Sequence, residues 1–241
     1  YRRQRQMCIR DRTGIQAQFP KAIFPGDYPD PSILRDGKDY YMTHSPFCYA
    51  PGLLIWHSTD LLHWEPVCRA LAEYEASIWA PDLLKYQNRY YIYYPTSTGE
   101  NYVIYADNIR GPWSKPVKLD VRGIDPGHVV GEDGKRYLFT NNGWITPLSD
   151  DGLKVTGKSR KVYDGWEYPA NWVTEGKDMY LESPKLLYKD GYYYMMSAEG
   201  GTAGPATSHM CVVARSKSVF GPWENLSLIH ISEPTRRTPI S

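Results

Sequence analysis

A unit that recurs about every 50 residues governs how this chain can fold. A turn signal followed by an aromatic or apolar strand occurs four times. It reads Asp36-Gly37-Lys38-Asp39-Tyr40-Tyr41, then Gln87-Asn88-Arg89-Tyr90-Tyr91, then Asp133-Gly134-Lys135-Arg136-Tyr137-Leu138, then Asp190-Gly191-Tyr192-Tyr193-Tyr194. A tight polar turn opening into such a run is the pattern of a β-hairpin. One hairpin pair per repeat, at this period, is the signature of a four-stranded propeller blade. A second element keeps the same beat: His63-Trp64-Glu65, Gly111-Pro112-Trp113-Ser114 and Gly221-Pro222-Trp223-Glu224. The third unit lacks it and carries Ser149-Asp150-Asp151-Gly152-Leu153 in that region. Residues 13–225 are therefore expected to form an all-β partial propeller of about four blades.

Composition narrows the function classes. The 28 Lys and Arg against 27 Asp and Glu leave no electrostatic reason to expect a nucleic-acid or anionic-membrane partner. No apolar run approaches the length of a bilayer-spanning helix. The chain holds 21 Tyr and 8 Trp but only 5 Phe, a bias towards rings with a polar tip, which suits half-wet strands and sugar-binding surfaces. Cys8, Cys48, Cys68 and Cys211 have neither zinc-site spacing nor the density of a disulfide framework, and buried free thiols are expected.

The two ends read differently from the repeat. Met7-Cys8-Ile9-Arg10-Asp11 can be encoded by ATG TGT ATA AGA GAC followed by AG, and the reverse complement of that string translates as Leu226 to Ile231. Two unrelated protein segments have no reason to be reverse complements, and the pair resembles a translated sequencing-library adapter. Residues 1–12 and 226–241 are accordingly expected to be foreign to the fold, and the basic N-terminal run is not taken as a targeting or nucleic-acid signal.

The chemistry lies at four prolines, Pro31, Pro81, Pro126 and Pro184, each roughly ten residues ahead of a Tyr-rich strand. Proline cannot donate to an inner ladder and so marks the start of the innermost strand of a blade. Residues just ahead of these prolines should point towards the central channel: Asp30, Trp79 with Ala80, Asp125, and Glu182 with Ser183. Three of four blades thus deliver a carboxylate to one place. Cleaving a glycosidic bond needs one protonated carboxyl for the leaving oxygen and one ionised carboxylate on the far side of the sugar. A third carboxylate raises the pKa of the acid by like charge.

Tyr28-Pro29-Asp30-Pro31-Ser32, Trp79-Ala80-Pro81-Asp82, Ile124-Asp125-Pro126 and Leu181-Glu182-Ser183-Pro184 resemble glycoside hydrolase family 43, in order, from about Phe24 to Trp223. The resemblance implies a five-bladed β-propeller, of which this chain carries about four blades. An open ring would then expose apolar faces on the first and fourth blades and favour aggregation. It also implies an inverting hydrolase acting on xylose- or arabinose-containing saccharides, a β-xylosidase or α-L-arabinofuranosidase. Asp30 would be the general base, Glu182 the general acid, and Asp125 the residue that orients the acid and modulates its pKa. Inversion implies Asp30 and Glu182 carboxyls roughly 6.5–9.5 Å apart, leaving room for a water.

Phe47, Trp79 and Thr202 match sugar-pocket positions of xylosidase-like relatives. His128, after Asp125-Pro126-Gly127, and His209, after the Gly-Gly-Thr loop, are expected to line the pocket rather than bind a metal. No cofactor is required by this chemistry. Some members of the family hold calcium in the channel, which leaves room for a structural calcium here. A carbohydrate-binding propeller without catalysis is the competing reading; it would need the aromatic residues but not three carboxylates in phase.

Overall fold

The computed structural model describes residues 23–24, 26–73, 76–166, 180–200 and 210–226. Among these residues, sixteen strands form four antiparallel sheets of four, each sheet ordered as in the sequence. Blade 1 is β1 Ser32–Asp36, β2 Asp39–Thr43, β3 Gly52–Ser58 and β4 Glu65–Leu71. Blade 2 is β5 Asp82–Tyr86, β6 Arg89–Pro95, β7 Asn101–Ala106 and β8 Val117–Leu119. Blade 3 is β9 Gly127–Val130, β10 Arg136–Thr140, β11 Trp144–Pro147 and β12 Arg160–Lys161. Blade 4 is β13 Glu182–Lys189, β14 Tyr192–Glu199, β15 Met210–Ser216 and β16 Glu224–Leu226. The first strands of successive blades pack against one another, β1 on β5, β5 on β9 and β9 on β13. They are the innermost strands of a propeller arrangement.

The turn signals behave as their chemistry requires. Asp190 (φ 51°) and Gly191 (φ 79°) close the β13–β14 hairpin with both residues left-handed, the geometry of a type I′ turn. Three of the four prolines stand immediately before an inner strand. Pro184 instead lies inside β13, where the pairing with β14 shifts register between Glu182 and Lys185. A bulge is one of the few places a sheet tolerates proline, because the residue there donates nothing to the ladder.

The Tyr-rich second strands explain how blades adhere. Side chains alternate across a strand, so one strand can feed two cores. From β6, Tyr90, Ile92 and Tyr94 enter a core shared with Leu53, Ile55 and Leu71 of blade 1. Tyr91 and Tyr93 of the same strand enter a core shared with Leu138 and Leu148 of blade 3. From β10, Tyr137 and Phe139 turn the other way and pack with Tyr193, Met195 and Ala214 of blade 4. Trp113 joins the first of these cores and Trp223 the third, which gives the Gly-Pro-Trp turns their packing role.

Blade 3, which lacks that tryptophan, carries a buried cation instead. Arg136 is 1% exposed and lies between the rings of Tyr86 and Tyr91, 4.4 Å from each centroid. Its guanidinium donates to the Tyr93 hydroxyl at 3.1 Å, to His128 Nε2 at 3.0 Å and to the Asp150 carbonyl at 3.3 Å. The Ser149–Leu153 segment is therefore a cap for Arg136, with Gly152 O accepting from the Tyr93 hydroxyl.

At the periphery, Phe24 and Tyr28 pack edge-on against Trp56 of blade 1. On blade 4, Leu187 and Met196 stand 60% and 52% exposed. The cysteines depart from expectation: those described are free, but Cys48, in a loop, and Cys211, on β15, are exposed, and Cys68 is half-buried. Cys8 and the terminal segments expected to be foreign lie outside the described residues, Leu226 apart.

Inner strands β9 and β13 approach so closely that a methyl group at Gly127 would sit 1.8 Å from the Pro184 carbonyl oxygen. Backbone cannot yield as a flexible side chain would, so Gly127→Ala is expected to destabilise the fold by roughly 1–3 kcal/mol. Thermal unfolding checks this, and an unchanged midpoint would show that the two strands separate freely.

Candidate active site

Asp30 is exposed and stands directly before β1 at φ 52°, with the Ser45 hydroxyl donating to its Oδ2 at 2.5 Å. Ser45 is itself held by its own N–H, which donates to the Pro29 carbonyl at 3.0 Å. Asp125 stands before β9 at φ 59° and is 7% exposed. Glu182, half-buried, opens β13, and the bulge that follows places Ser183 at φ 49°. Left-handed backbone at non-glycine residues costs on the order of 1–3 kcal/mol each and persists only where the surroundings fix it. Here it occurs at two of the three carboxylates and beside the third.

The short 3-10 turn Asn141–Gly143 ties two of these segments together. Asn141 exchanges hydrogen bonds with Ile124, its N–H donating to the Ile124 carbonyl and its Oδ1 accepting from the Ile124 N–H. The N–H of the next residue, Asn142, donates to the Leu181 carbonyl at 2.8 Å. The residues immediately ahead of Asp125 and Glu182 are thus pinned to one turn.

The Asp125 carboxyl feels the charges of the other two. Burial, then the negative charges of Glu182 and Asp30, push the Asp125 carboxyl up to about 7. The Ser183 N–H and the Lys185 ammonium act in the opposite sense. Residues from blades 1, 3 and 4 are therefore coupled electrostatically.

Phe47 and Trp79 are brought to neighbouring positions. Phe47 and Ile78 exchange two backbone hydrogen bonds of 3.1 Å, and the Trp79 N–H donates to the Pro95 carbonyl at 3.0 Å. Both rings are half-buried. His128 is committed inward: its Nε2 accepts from Arg136, and its ring stacks on Tyr93 at 6.0 Å. Burial and the Arg136 charge push its pKa down to about 3, so it is neutral at ordinary pH. Thr202 and His209 lie outside the described residues.

Sequence reasoning passed over Ser45, Asp82, Asn141, Asn142 and Lys185. Asp82 and Lys185 each follow a motif proline, and a charged residue there on a crowded inner strand was the available signal. No group of three or more His, Cys, Asp or Glu among the described residues is disposed to hold a metal ion.

Residues 19–238 match the family described as Glycosyl hydrolases family 43. The chain belongs to glycosyl hydrolase family 43. Xylosidase/arabinosidase 43B of Humicola insolens is 34% identical over 232 residues, covering 86% of this chain and 42% of that protein. The non-reducing end alpha-L-arabinofuranosidase BoGH43B of Bacteroides ovatus is 32% identical over 225 residues, covering 87% of this chain and 40% of its own length. The crystal structure of xylan beta-1,4-xylosidase from Bacillus halodurans C-125 aligns with a TM-score of 0.73 at 33% identity, covering 89% of this chain and 44% of that one. This family 43 chain thus spans less than half the length of these relatives.

The raised pKa makes Asp125 a destabilising residue above neutrality. Unfolded, an aspartate releases its proton near 3.8; folded, this one keeps it to about 7. Its contribution is fully present below the lower value and lost as pH rises through the upper one. Asp125→Asn is expected to resist heat better than wild type at pH 8, by on the order of 2 kcal/mol, the gap closing towards pH 4. Melting curves across that range decide it, and a gap independent of pH would contradict the assignment.

Proposed function

We propose that the full-length protein is an inverting glycoside hydrolase acting on xylose- or arabinose-containing saccharides. What supports this reading is the action of the Asp30 and Glu182 charges on Asp125, which, with burial, keep its carboxyl protonated up to about pH 7. Homologues named as xylosidases, arabinosidases and an arabinofuranosidase support the substrate class.

Each group's surroundings suit its assigned task. Glu182 is the proton donor: it is half-buried, whereas Asp125 is too enclosed to meet a leaving group. Its proton passes to the glycosidic oxygen as the bond to the anomeric carbon breaks. Asp30, exposed and oriented by Ser45, takes a proton from the water whose oxygen bonds to that carbon on the opposite face. The charge on Glu182 acts on Asp125 and raises its pKa. Above about pH 7 Asp125 releases the proton that burial and the charges of Glu182 and Asp30 had held on it, and turnover falls. Phe47 and Trp79 offer apolar ring faces to the C–H face of the terminal sugar.

The test is release of nitrophenol from the β-xyloside and the α-L-arabinofuranoside by the full-length protein, with product anomers followed by NMR. Expected are turnover of at least one substrate, an inverted first-formed anomer, and a loss of about a hundredfold or more in Glu182→Gln. Hydrolysis of galactosides alone would refute the substrate class. Sugar binding without turnover would favour the carbohydrate-binding propeller.

A further inference from the structure

Lys185 projects from β13 and its Nζ makes three hydrogen bonds, one for each of its protons. It donates to the Pro81 carbonyl at 3.1 Å, the Pro126 carbonyl at 2.9 Å and Asp82 Oδ1 at 2.9 Å. Pro81 and Asp82 belong to blade 2, Pro126 to blade 3 and Lys185 itself to blade 4. Asp82, which is buried, uses its other oxygen, Oδ2, to accept the His128 N–H at 2.8 Å. One ammonium therefore fixes three inner strands at a single point.

That point adjoins the carboxyl cluster. Pro126 follows Asp125 in the chain, Lys185 lies three residues beyond Glu182, and Pro81 two beyond Trp79. We propose that Lys185 is a positioning residue of the site, its ammonium tripod setting where Asp125 and Glu182 stand relative to each other. The inference rests on the hydrolase reading for its kinetic consequences, but not for its geometry. A point charge on a flexible stem can serve three acceptors at once; a planar guanidinium cannot reproduce that fan. The same charge works on Asp125 directly, lowering its pKa against the burial and like charge that raise it. The charged and titratable groups around Asp125 are Glu182 and Lys185 from β13, Asp30 ahead of β1, Asp82 from β5, and His128 on β9 with Arg136 behind it.

Two variants of the full-length protein separate positioning from charge. Lys185→Met removes both and should lower kcat about a hundredfold, as expected when reacting groups are displaced by about 1 Å. It should also move the alkaline limb of the pH profile upward by about one unit, because a cation no longer favours the ionised Asp125. Lys185→Arg keeps the charge, so the limb should stay in place while kcat still falls. Wild-type kcat in Lys185→Arg would overturn the tripod, and an unmoved limb in a folded Lys185→Met would overturn the electrostatic part. Should Lys185→Met not fold, the Arg variant alone decides. Infrared titration of the Asp125 carboxyl, assigned by difference against Asp125→Asn, needs no substrate. It reads the same upward shift even if no glycoside is hydrolysed, so failure of the hydrolase reading stays distinct from failure of this one.

Discussion

The residue directly after each inner-strand proline is where one blade is joined to the next. Ser32 Oγ accepts the Leu83 N–H at 2.9 Å and joins blade 1 to blade 2. Asp82 accepts the His128 N–H and joins blade 2 to blade 3. Gly127 supplies no side chain at all, and that absence lets β9 come against the Pro184 carbonyl of blade 4. Lys185 then reaches back from blade 4 to both. A hydroxyl, a carboxylate, a bare backbone and an ammonium solve the same problem with different chemistry. Each is local to a tight seam in which the prolines leave no amide of their own to contribute.

This seam allows the neighbouring positions to be energetically unfavourable. Asp30, Asp125 and Ser183 hold left-handed backbone. Asp125 is denied solvent and carries the repulsion of two further carboxylates. None of these arrangements stabilises the fold; each is the kind of strain or repulsion that relaxes if its supports can move. The supports are the interblade cores further out, fed by alternate side chains of β6 and β10, and the hydrogen-bonded seam further in. A propeller suits the task because its rigidity comes from blade packing, not from the loops that carry the acids.

The sequence made legible whatever depended on local order. Period, hairpin turns and the prolines before β1, β5 and β9 are written in contiguous residues, and so are Asp30 and Asp125 ahead of two of them. Phe47 and Trp79 could be named from a pattern, but their adjacency arises from a backbone bridge between distant loops. Ser45 meets Asp30, and Lys185 meets Pro81, Asp82 and Pro126, across sequence separations that no short motif spans. Pro184 illustrates the same limit: its spacing matched the other three, yet it lies inside β13 where the pairing with β14 shifts register. The absent tryptophan of the third unit gave no hint of the buried Arg136.

That arginine bears on how acid–base behaviour near neutrality should be assigned. An inflection close to pH 7 is conventionally credited to histidine, whose ordinary pKa lies there. Among the described histidines, His128 is closest to the cluster in sequence, and its ring is held neutral by burial and by the Arg136 guanidinium at its Nε2. A proton added to that nitrogen would face a cation 3.0 Å away with no carboxylate between them. His44 is likewise pushed down by burial. The group displaced into the neutral range is Asp125, and its displacement comes from an enclosed site with two like charges beside it. With His128 silenced by burial and by Arg136, Asp125 is the acidic group among the described residues that is displaced into the neutral range.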